Sequence, residues 1–142
     1  MCHKDIVEVT ADPLPTLDEI ANSVQDDAAG AISTFSGTTR NTFKGKKVVK
    51  LEYEAYIPMA EKVLMQLVRE ARNKWNLQHV AIYHRIGTVP VGQTSVVVAT
   101  SSTHRADSME ATRHLIDRLK EKCPIWKKEV YEDGSVWKGQ CH

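Results

Sequence analysis

The sequence lacks the features that would place it in a membrane or give it a disulfide framework. Its longest run of strongly apolar residues is Val96–Ala99, whereas a transmembrane helix needs about 20 such residues. The N-terminus leads into no apolar segment of the kind found in secretory signals. The three cysteines, Cys2, Cys123 and Cys141, form no Cys-x-x-Cys pair. An odd number without such spacing argues against structural disulfides, so we expect a cytosolic protein.

An excess of basic residues is also missing. Lysine and arginine total 19 and aspartate and glutamate total 18, giving a formal net charge of +1, whereas general nucleic-acid binders are usually more basic. The three Trp, four Tyr and two Phe residues suggest no paired aromatic platform for RNA bases. The 42% hydrophobic and 26% charged residues are typical of a folded globular protein. We therefore predict one domain over residues 1–142.

The sequence contains no phosphate-binding P-loop, no Gly-x-Gly-x-x-Gly and no Gly-x-Ser-x-Gly motif. Potential metal ligands are poorly spaced. His79 and His84 are separated by an odd number of positions, so one continuous strand would point them to opposite faces. No His-x-x-x-His pair occurs, and we predict no metal site.

Hydrophobic periodicity predicts strands interleaved with helices. The predicted strands are Asp5–Thr10, Ala31–Arg40, Val48–Tyr56, Val80–Ile86, a central Thr94–Ser101, Ile125–Tyr131 and a short strand from Val136. The predicted helices run from Thr16 to about Gln25, from Pro58 to Trp75 and from His104 to Lys122. Asn41–Lys47 is predicted as a hairpin loop and Gly87–Gly92 as a connection. This order favours an α+β fold with about three helices and a mostly antiparallel sheet.

Two side-chain patterns specify which faces should be buried. In the third strand, Val49, Leu51, Tyr53 and Ala55 alternate with charged residues, which predicts that they share the inner face. The apolar face of the last helix is predicted from three- and four-residue spacing. That face comprises Ala106, Met109, Thr112, Leu115, Ile116 and Leu119.

The strongest local signal is basic. Lys120, Lys122, Lys127 and Lys128 lie within nine residues, across a helix end, Pro124 and a new strand. One interpretation is structural, because lysines favour helix C-termini and the exposed faces of strands. The other is functional: the bend at the proline brings Lys120 and Lys127 to one pocket.

Two further segments offer cations at element ends. His104 and Arg105 open the last helix, where the helix dipole disfavours positive charge unless an anion is bound nearby. Arg40 ends a strand that contains Gly37, a position suited to a bulge or a close backbone approach. With Lys120 and Lys127, these residues suggest a pocket for a small anionic, phosphorylated ligand.

Several segments spread over roughly residues 30–137 match one known family when they are taken together and in order. They are Phe35–Arg40, Leu51–Tyr56 with Pro58–Ala60, His84–Gly87 with Gly92, His104–Arg105, and Lys120 with Pro124–Glu129. In these segments the chain resembles the large, catalytic subunit of molybdopterin synthase, the MoaE family. The resemblance is weak over residues 1–28.

This resemblance implies an α/β hammerhead fold and a sulfurtransferase of molybdenum cofactor biosynthesis. The family converts cyclic pyranopterin monophosphate (precursor Z) to molybdopterin by inserting two dithiolene sulfurs. A small ubiquitin-like subunit delivers the sulfur as a thiocarboxylate on its C-terminal Gly-Gly, so no other cofactor is implied. The large subunit forms a homodimer within a heterotetramer.

The resemblance also implies roles for individual residues. Lys127 and Lys120 correspond to the catalytic lysines. The substrate-binding positions are Thr38, Thr39, Arg40, His104, Arg105, Lys120, Lys127, Lys128 and Glu129. Bacterial members place an arginine about four residues after the tryptophan that corresponds to Trp137, reaching across the dimer. Here that position is Cys141, and Lys138 is a candidate substitute.

Two other functions are compatible with the residues alone. A binding module could hold a nucleotide or phosphorylated ligand without chemistry, and a ribonucleoprotein-like domain could use the basic segment near Trp126. The first differs from an enzyme in what Lys127 must do, since arginine would preserve charge but not proton transfer. The net charge and the few aromatic residues weigh against the second.

Overall fold

A computed structural model describes residues 3–140, so Cys2 and Cys141 lie outside the described part. The helices are α1 (Leu17–Ser23), α2 (Ile57–Lys74) and α3 (Arg105–Lys122). The strands are β1 (Asp5–Thr10), β2 (Ala31–Thr38), β3 (Thr42–Phe43), β4 (Lys46–Ala55), β5 (Leu77–Arg85), β6 (Gly87–Pro90), β7 (Thr94–Ser102), β8 (Ile125–Tyr131) and β9 (Val136–Gln140). The predicted α+β class with three helices is confirmed.

The first sheet has the strand order β1-β5-β7-β2 and confirms the central position predicted for β7. Only its β1–β5 pair is parallel among the described strand pairs. Alternate residues of β7 enter two separate cores. Val96 and Val98 pack in the core that includes α2 and α3, whereas Val97 and Ala99 pack with α1. Burial on both faces explains why β7 is almost continuously apolar.

The second sheet has the order β3-β4-β8-β9, with β6 also paired to β4. One prediction is wrong here, and another, the hairpin at Asn41–Lys47, is confirmed with a short strand added. The segment Gly87–Gly92 is not only a connection, because Gly87–Pro90 forms a strand against β4. The Asn41–Lys47 loop contains the short strand β3, which a turn with positive φ at Lys44 and Gly45 joins to β4.

The helices begin as predicted but bury different faces in one case. Thr16 and Glu19 form the expected capping box of α1. In α3, Ala106 and Met109 are exposed, and Ser108 takes a buried place instead. Ser108 can be buried there because its backbone and hydroxyl form hydrogen bonds with Ser102, Thr100 and other neighbours.

The predicted inner position of Val49 in β4 is also wrong. A register shift between Val48 and Lys50 leaves Val49 50% exposed.

Candidate active site

A cavity of about 520 Å³ lies where the end of β2, the C-terminal part of α3 and the inner face of the second sheet meet. Three cations line it: Arg40, Lys120 and Lys127. Glu129 is its only lining carboxylate among the described residues. Aromatic and aliphatic walls surround these groups: Phe35, Phe43, Val48, Leu51, Tyr53, Val96, Ile116 and Leu119. Such a pocket, with aromatic and aliphatic walls and a few convergent cations, suits a small anionic ligand.

The bend between α3 and β8 brings the two lysines together. Cys123 caps α3, and its backbone N–H donates to Leu119 O at 2.9 Å. Cys123 and Ile125 are both completely buried on either side of Pro124, so the direction of β8 is fixed by packing. The prediction that Lys120 and Lys127 converge on one pocket is confirmed, as is the burial of Cys123.

Lys127 is held from two sides. Its Nζ lies 3.3 Å from Glu129 Oε1, and only 15% of its side chain is exposed. The same Nζ stands 5.5 Å from the centre of the Trp137 ring, a cation–π distance. The indole itself lies against Gly139, where a Cβ atom would collide with the ring. Lys127 therefore has a restricted position at the cavity wall.

Glu129 is buried and makes two polar contacts through different oxygens. Oε1 faces Lys127, and Oε2 accepts a 2.6 Å hydrogen bond from the Tyr131 hydroxyl. This hydrogen bond, followed by burial, raises the pKa of Tyr131 to about 12. The phenol consequently remains a donor across the physiological pH range. The role of Tyr131 was not predicted, although its two-residue spacing from Glu129 places both on one strand face.

The loop after β2 supplies the remaining polar groups. A register shift between Gly37 and Thr38 interrupts the pairing of β2 with β7 before the last pair, Thr38 with Thr94, and confirms the bulge suggested by the glycine. Thr39 is then fixed by backbone hydrogen bonds to Gln93 and Gly92 at 3.1 and 2.9 Å. Its hydroxyl is buried and has no hydrogen-bond partner within residues 3–140. An unsatisfied hydroxyl beside the cavity can accept or donate to a ligand.

Sequence analysis missed the contribution of His84. It lines the cavity from β5 and is completely buried, with its ring edge-on to Tyr53 at 5.2 Å. Burial lowers the pKa of His84 to about 4, so the ring is neutral near pH 7. Nδ1 donates to Arg85 O at 2.8 Å. A core histidine of this kind shapes the pocket without adding charge.

The remaining predicted residues lie elsewhere within a single chain. His104 and Arg105 are exposed at the start of α3, about 22 Å along the helix from Lys120. Lys128 points away from the cavity and lies 3.5 Å from Glu52 Oε2 on the outer face of the sheet. Lys138 pairs with Lys128 across β8 and β9 and shares that outer face. One chain thus brings together Thr38, Thr39, Arg40, Lys120, Lys127 and Glu129.

Residues 3–140 contain no clustered metal ligands and no membrane-spanning helix. No group of three or more His, Cys, Asp or Glu side chains in this part of the chain is placed to hold a metal ion. None of the helices described there is both long enough and apolar enough to cross a membrane.

The chain is similar to known proteins over nearly its whole length. The family profile described as MoaE protein matches residues 9–122. The human molybdopterin synthase catalytic subunit is 52% identical over 136 residues, covering 96% of this chain and 72% of the human protein.

Solved structures agree with this family assignment. The crystal structure of molybdopterin synthase from Staphylococcus aureus superposes with a TM-score of 0.87 at 42% identity, covering 94% of this chain and 96% of that one. A Helicobacter pylori complex of subunits 1 and 2 of molybdopterin-converting factor contains a chain with a TM-score of 0.70 at 20% identity, which shows the fold alone. That match covers 91% of this chain and 86% of the other. The enzyme class predicted from the sequence, a transferase of molybdenum cofactor biosynthesis, is confirmed, and the chain belongs to the MoaE family of molybdopterin synthase catalytic subunits.

Proposed function

We propose that the cavity between α3 and β8 is where cyclic pyranopterin monophosphate receives its two dithiolene sulfurs. The observation that carries this proposal is the convergence of Arg40, Lys120 and Lys127 on one cavity with a single lining carboxylate among residues 3–140. A cyclic phosphate and a thiocarboxylate are both anions, so both substrates favour such a site. The cavity volume of about 520 Å³ is within the range of pockets for small ligands.

The side chains divide into charge-binding and proton-transferring groups. Arg40 is suited to a bidentate contact with the phosphate, and the hydroxyls of Thr38 and Thr39 can add hydrogen bonds. Opening the cyclic phosphate and expelling oxygen as water both require proton transfer. An amine near other cations is suited to this. The candidates are Lys127, which is largely shielded from water, and the more exposed Lys120.

The nucleophile in this proposal is the sulfur of a partner protein, and no other cofactor is required. Cys123 is completely buried and does not line the cavity. The human relative's name calls it a catalytic subunit, a term that implies a further subunit, and the Helicobacter pylori structure is described as a complex of two subunits. We infer a cytosolic, small ubiquitin-like partner whose C-terminal Gly-Gly thiocarboxylate enters near Lys120 and Lys127.

His104 and Arg105 enter this proposal through a second copy of the chain. Both are too far along α3 from Lys120 to reach the same cavity in one chain, yet both offer cations for a phosphate. A homodimer within a heterotetramer can bring them to the cavity of its partner. Mixing Arg105→Ala with Lys127→Ala chains tests this, because mixed dimers would hold one intact site. No recovery of activity on mixing would exclude the shared site.

The function is tested by incubating the protein with the pterin precursor and a thiocarboxylated partner and measuring dithiolene product. Deleting the last two residues of the partner should abolish product, because sulfur is then not delivered. Equal product with the truncated partner would contradict the proposed sulfur route. Tight precursor binding with no product under any condition would instead favour a binding module without chemistry.

A further inference from the structure

Three side chains of β8 form a continuous polar chain on its inner face. Lys127, Glu129 and Tyr131 alternate along the strand and therefore point the same way. Nζ of Lys127 lies 3.3 Å from one oxygen of Glu129, and the Tyr131 hydroxyl donates to the other at 2.6 Å. The two ends differ in exposure to the cavity, because Lys127 and Glu129 line it and Tyr131 does not.

We propose that Tyr131 is a positioning residue that acts on Lys127 through the Glu129 carboxylate. This inference rests on the proposed function of Lys127 in proton transfer. By occupying Oε2, the phenol fixes the carboxylate so that Oε1 faces the lysine. By donating to Oε2, it also draws part of the negative charge of the carboxylate away from the contact between Oε1 and the lysine.

The carboxylate has little freedom to find another donor. Its side chain is only 8% exposed, so water cannot readily replace the phenol. On the opposite strand Glu129 is paired with Leu51 of β4, and on β9 it is paired with Trp137. The side chains of both neighbours are mainly apolar, so within residues 3–140 the carboxylate has its polar contacts with Tyr131 and Lys127.

The adjoining elements also place charged groups near the row of Lys127, Glu129 and Tyr131 side chains. On the lysine side, Lys120 projects from α3 and Arg40 from the loop after β2, while His84 on β5 is neutral near pH 7. Around the phenol, Lys46 of β4 lies 5.3 Å from the ring centre, and the charge of Asp133 also reaches the hydroxyl. The amine of Lys127 therefore lies in a cavity with two other cations and one carboxylate, and the contact with Glu129 holds it in place.

The test measures the reactivity of Lys127 directly, without substrate or partner. The protein is treated briefly with an acylating reagent at pH 8, and modification at each lysine is quantified by peptide mass spectrometry. Tyr131→Phe removes the hydrogen bond to Oε2, so the carboxylate interacts more strongly with Lys127. We therefore expect acylation of Lys127 to fall about three- to tenfold. Acylation of Lys128, on the outer face, should not change. Tyr83→Phe, in the core beside α1, is the matched control.

A double-mutant cycle shows whether Glu129 carries the effect. Glu129→Gln removes the charge, and in that background Tyr131→Phe should no longer alter Lys127 acylation. Unchanged Lys127 acylation in Tyr131→Phe, or an equal change in both backgrounds, would overturn the proposal. Thermal unfolding of each variant separates a loss of folded protein from a local effect.

Turnover gives a second measurement. Tyr131→Phe should lower kcat with KM changed less than about twofold. An unchanged kcat, or an equal change in kcat and KM, would contradict the positioning role. The proposed function can fail separately: if Lys127→Arg keeps full turnover, proton transfer by Lys127 is excluded while the acylation result stands.

Discussion

Strand β8 presents two consecutive lysines to opposite environments. Lys127 faces inward with 15% of its side chain exposed and contacts Glu129 and the Trp137 ring. Lys128 faces outward with 39% exposed and lies 3.5 Å from Glu52, which also contacts Lys50 at 3.3 Å. The same residue type is thus a shielded group on one face and part of a solvated ion-pair ladder on the other. Neighbouring position in the sequence says nothing about which lysine can do chemistry.

The largest expected difference between the two faces is in turnover. Lys127→Arg keeps the positive charge but cannot release a proton, because the pKa of arginine stays above 12. We expect turnover to fall at least about 100-fold while precursor affinity changes less than about tenfold. Steady-state kinetics and direct binding measure the two quantities.

Lys128→Arg is the matched control for this prediction. Arginine preserves the charge that an outward lysine supplies, so we expect no more than about a twofold change in turnover. Near-normal turnover of Lys127→Arg would show that Lys127 only holds anions, and the two lysines would then differ in exposure alone.

Phosphate binding should depend on another cation that lines the cavity, Arg40. Removing a charge-assisted hydrogen bond costs about 1.5–3 kcal/mol, so Arg40→Ala should weaken precursor affinity about 10- to 150-fold. Arg105→Ala should have a similar effect if the second chain supplies this residue. Titration calorimetry measures both constants, and unchanged affinity in both variants would place the phosphate elsewhere.

Lys120, on the wall of the cavity formed by α3, tests whether arginine can replace a lysine at a second position of the cavity. It lies in the last turn of α3 and is exposed, so the longer side chain can be accommodated more easily than at position 127. We expect Lys120→Arg to reduce turnover about tenfold, less than Lys127→Arg. Turnover lower than that of Lys127→Arg would exchange the roles of the two lysines.

The smallest effect is expected on the outer face. The hydrogen bond from Lys50, with the nearby Lys128 charge, lowers the pKa of Glu52 below its ordinary value of 4.5. A lowered pKa gives stability that is present above pH 4.5 and lost as the pH falls through the lower, folded-state value. Glu52→Gln should therefore reduce the melting temperature at pH 7 by no more than about 2–3 °C.

Melting curves at neutral and acidic pH check this prediction. The difference between the wild type and Glu52→Gln should disappear below the folded-state pKa, where Glu52 is protonated. Glu54→Gln is the control, because Glu54 is exposed on the same strand and forms no salt bridge within the described residues. An equal effect of both substitutions on the melting temperature would show that the ion pairs of Glu52 with Lys50 and Lys128 add no stability of their own.

Local patterns predicted most of the fold. The capping box, the three- and four-residue spacing of α2 and the apolar run of β7 are consequences of neighbouring residues, and all three elements formed where expected. Strand β6 was missed because it is a four-residue strand that starts at a glycine, and its partner β4 is more than 30 positions earlier. Val49 was assigned to the wrong face because a bulge is decided by pairing with β8.

The candidate site was predictable in part for a similar reason. The proline between α3 and β8 made the approach of Lys120 and Lys127 foreseeable from sequence. The Trp137 and Tyr131 contacts depend on the register of β8 with β9 and on strand alternation beyond the basic segment. The cations at His104 and Arg105 were correctly placed at a helix start. The rise of that helix already separates Arg105 from Lys120 by about 22 Å, which the assignment of all five cations to one pocket of a single chain overlooked.

Gly139 carries no side chain, yet it constrains which neighbouring residues are compatible with the site. The Trp137 indole lies where the Cβ of any other residue at position 139 would be, and the same indole faces Lys127. Alanine at position 139 is therefore compatible with this geometry only if the ring moves or position 137 carries a smaller side chain. Positions 137 and 139 should consequently vary together among functional sequences, with the larger ring found opposite glycine.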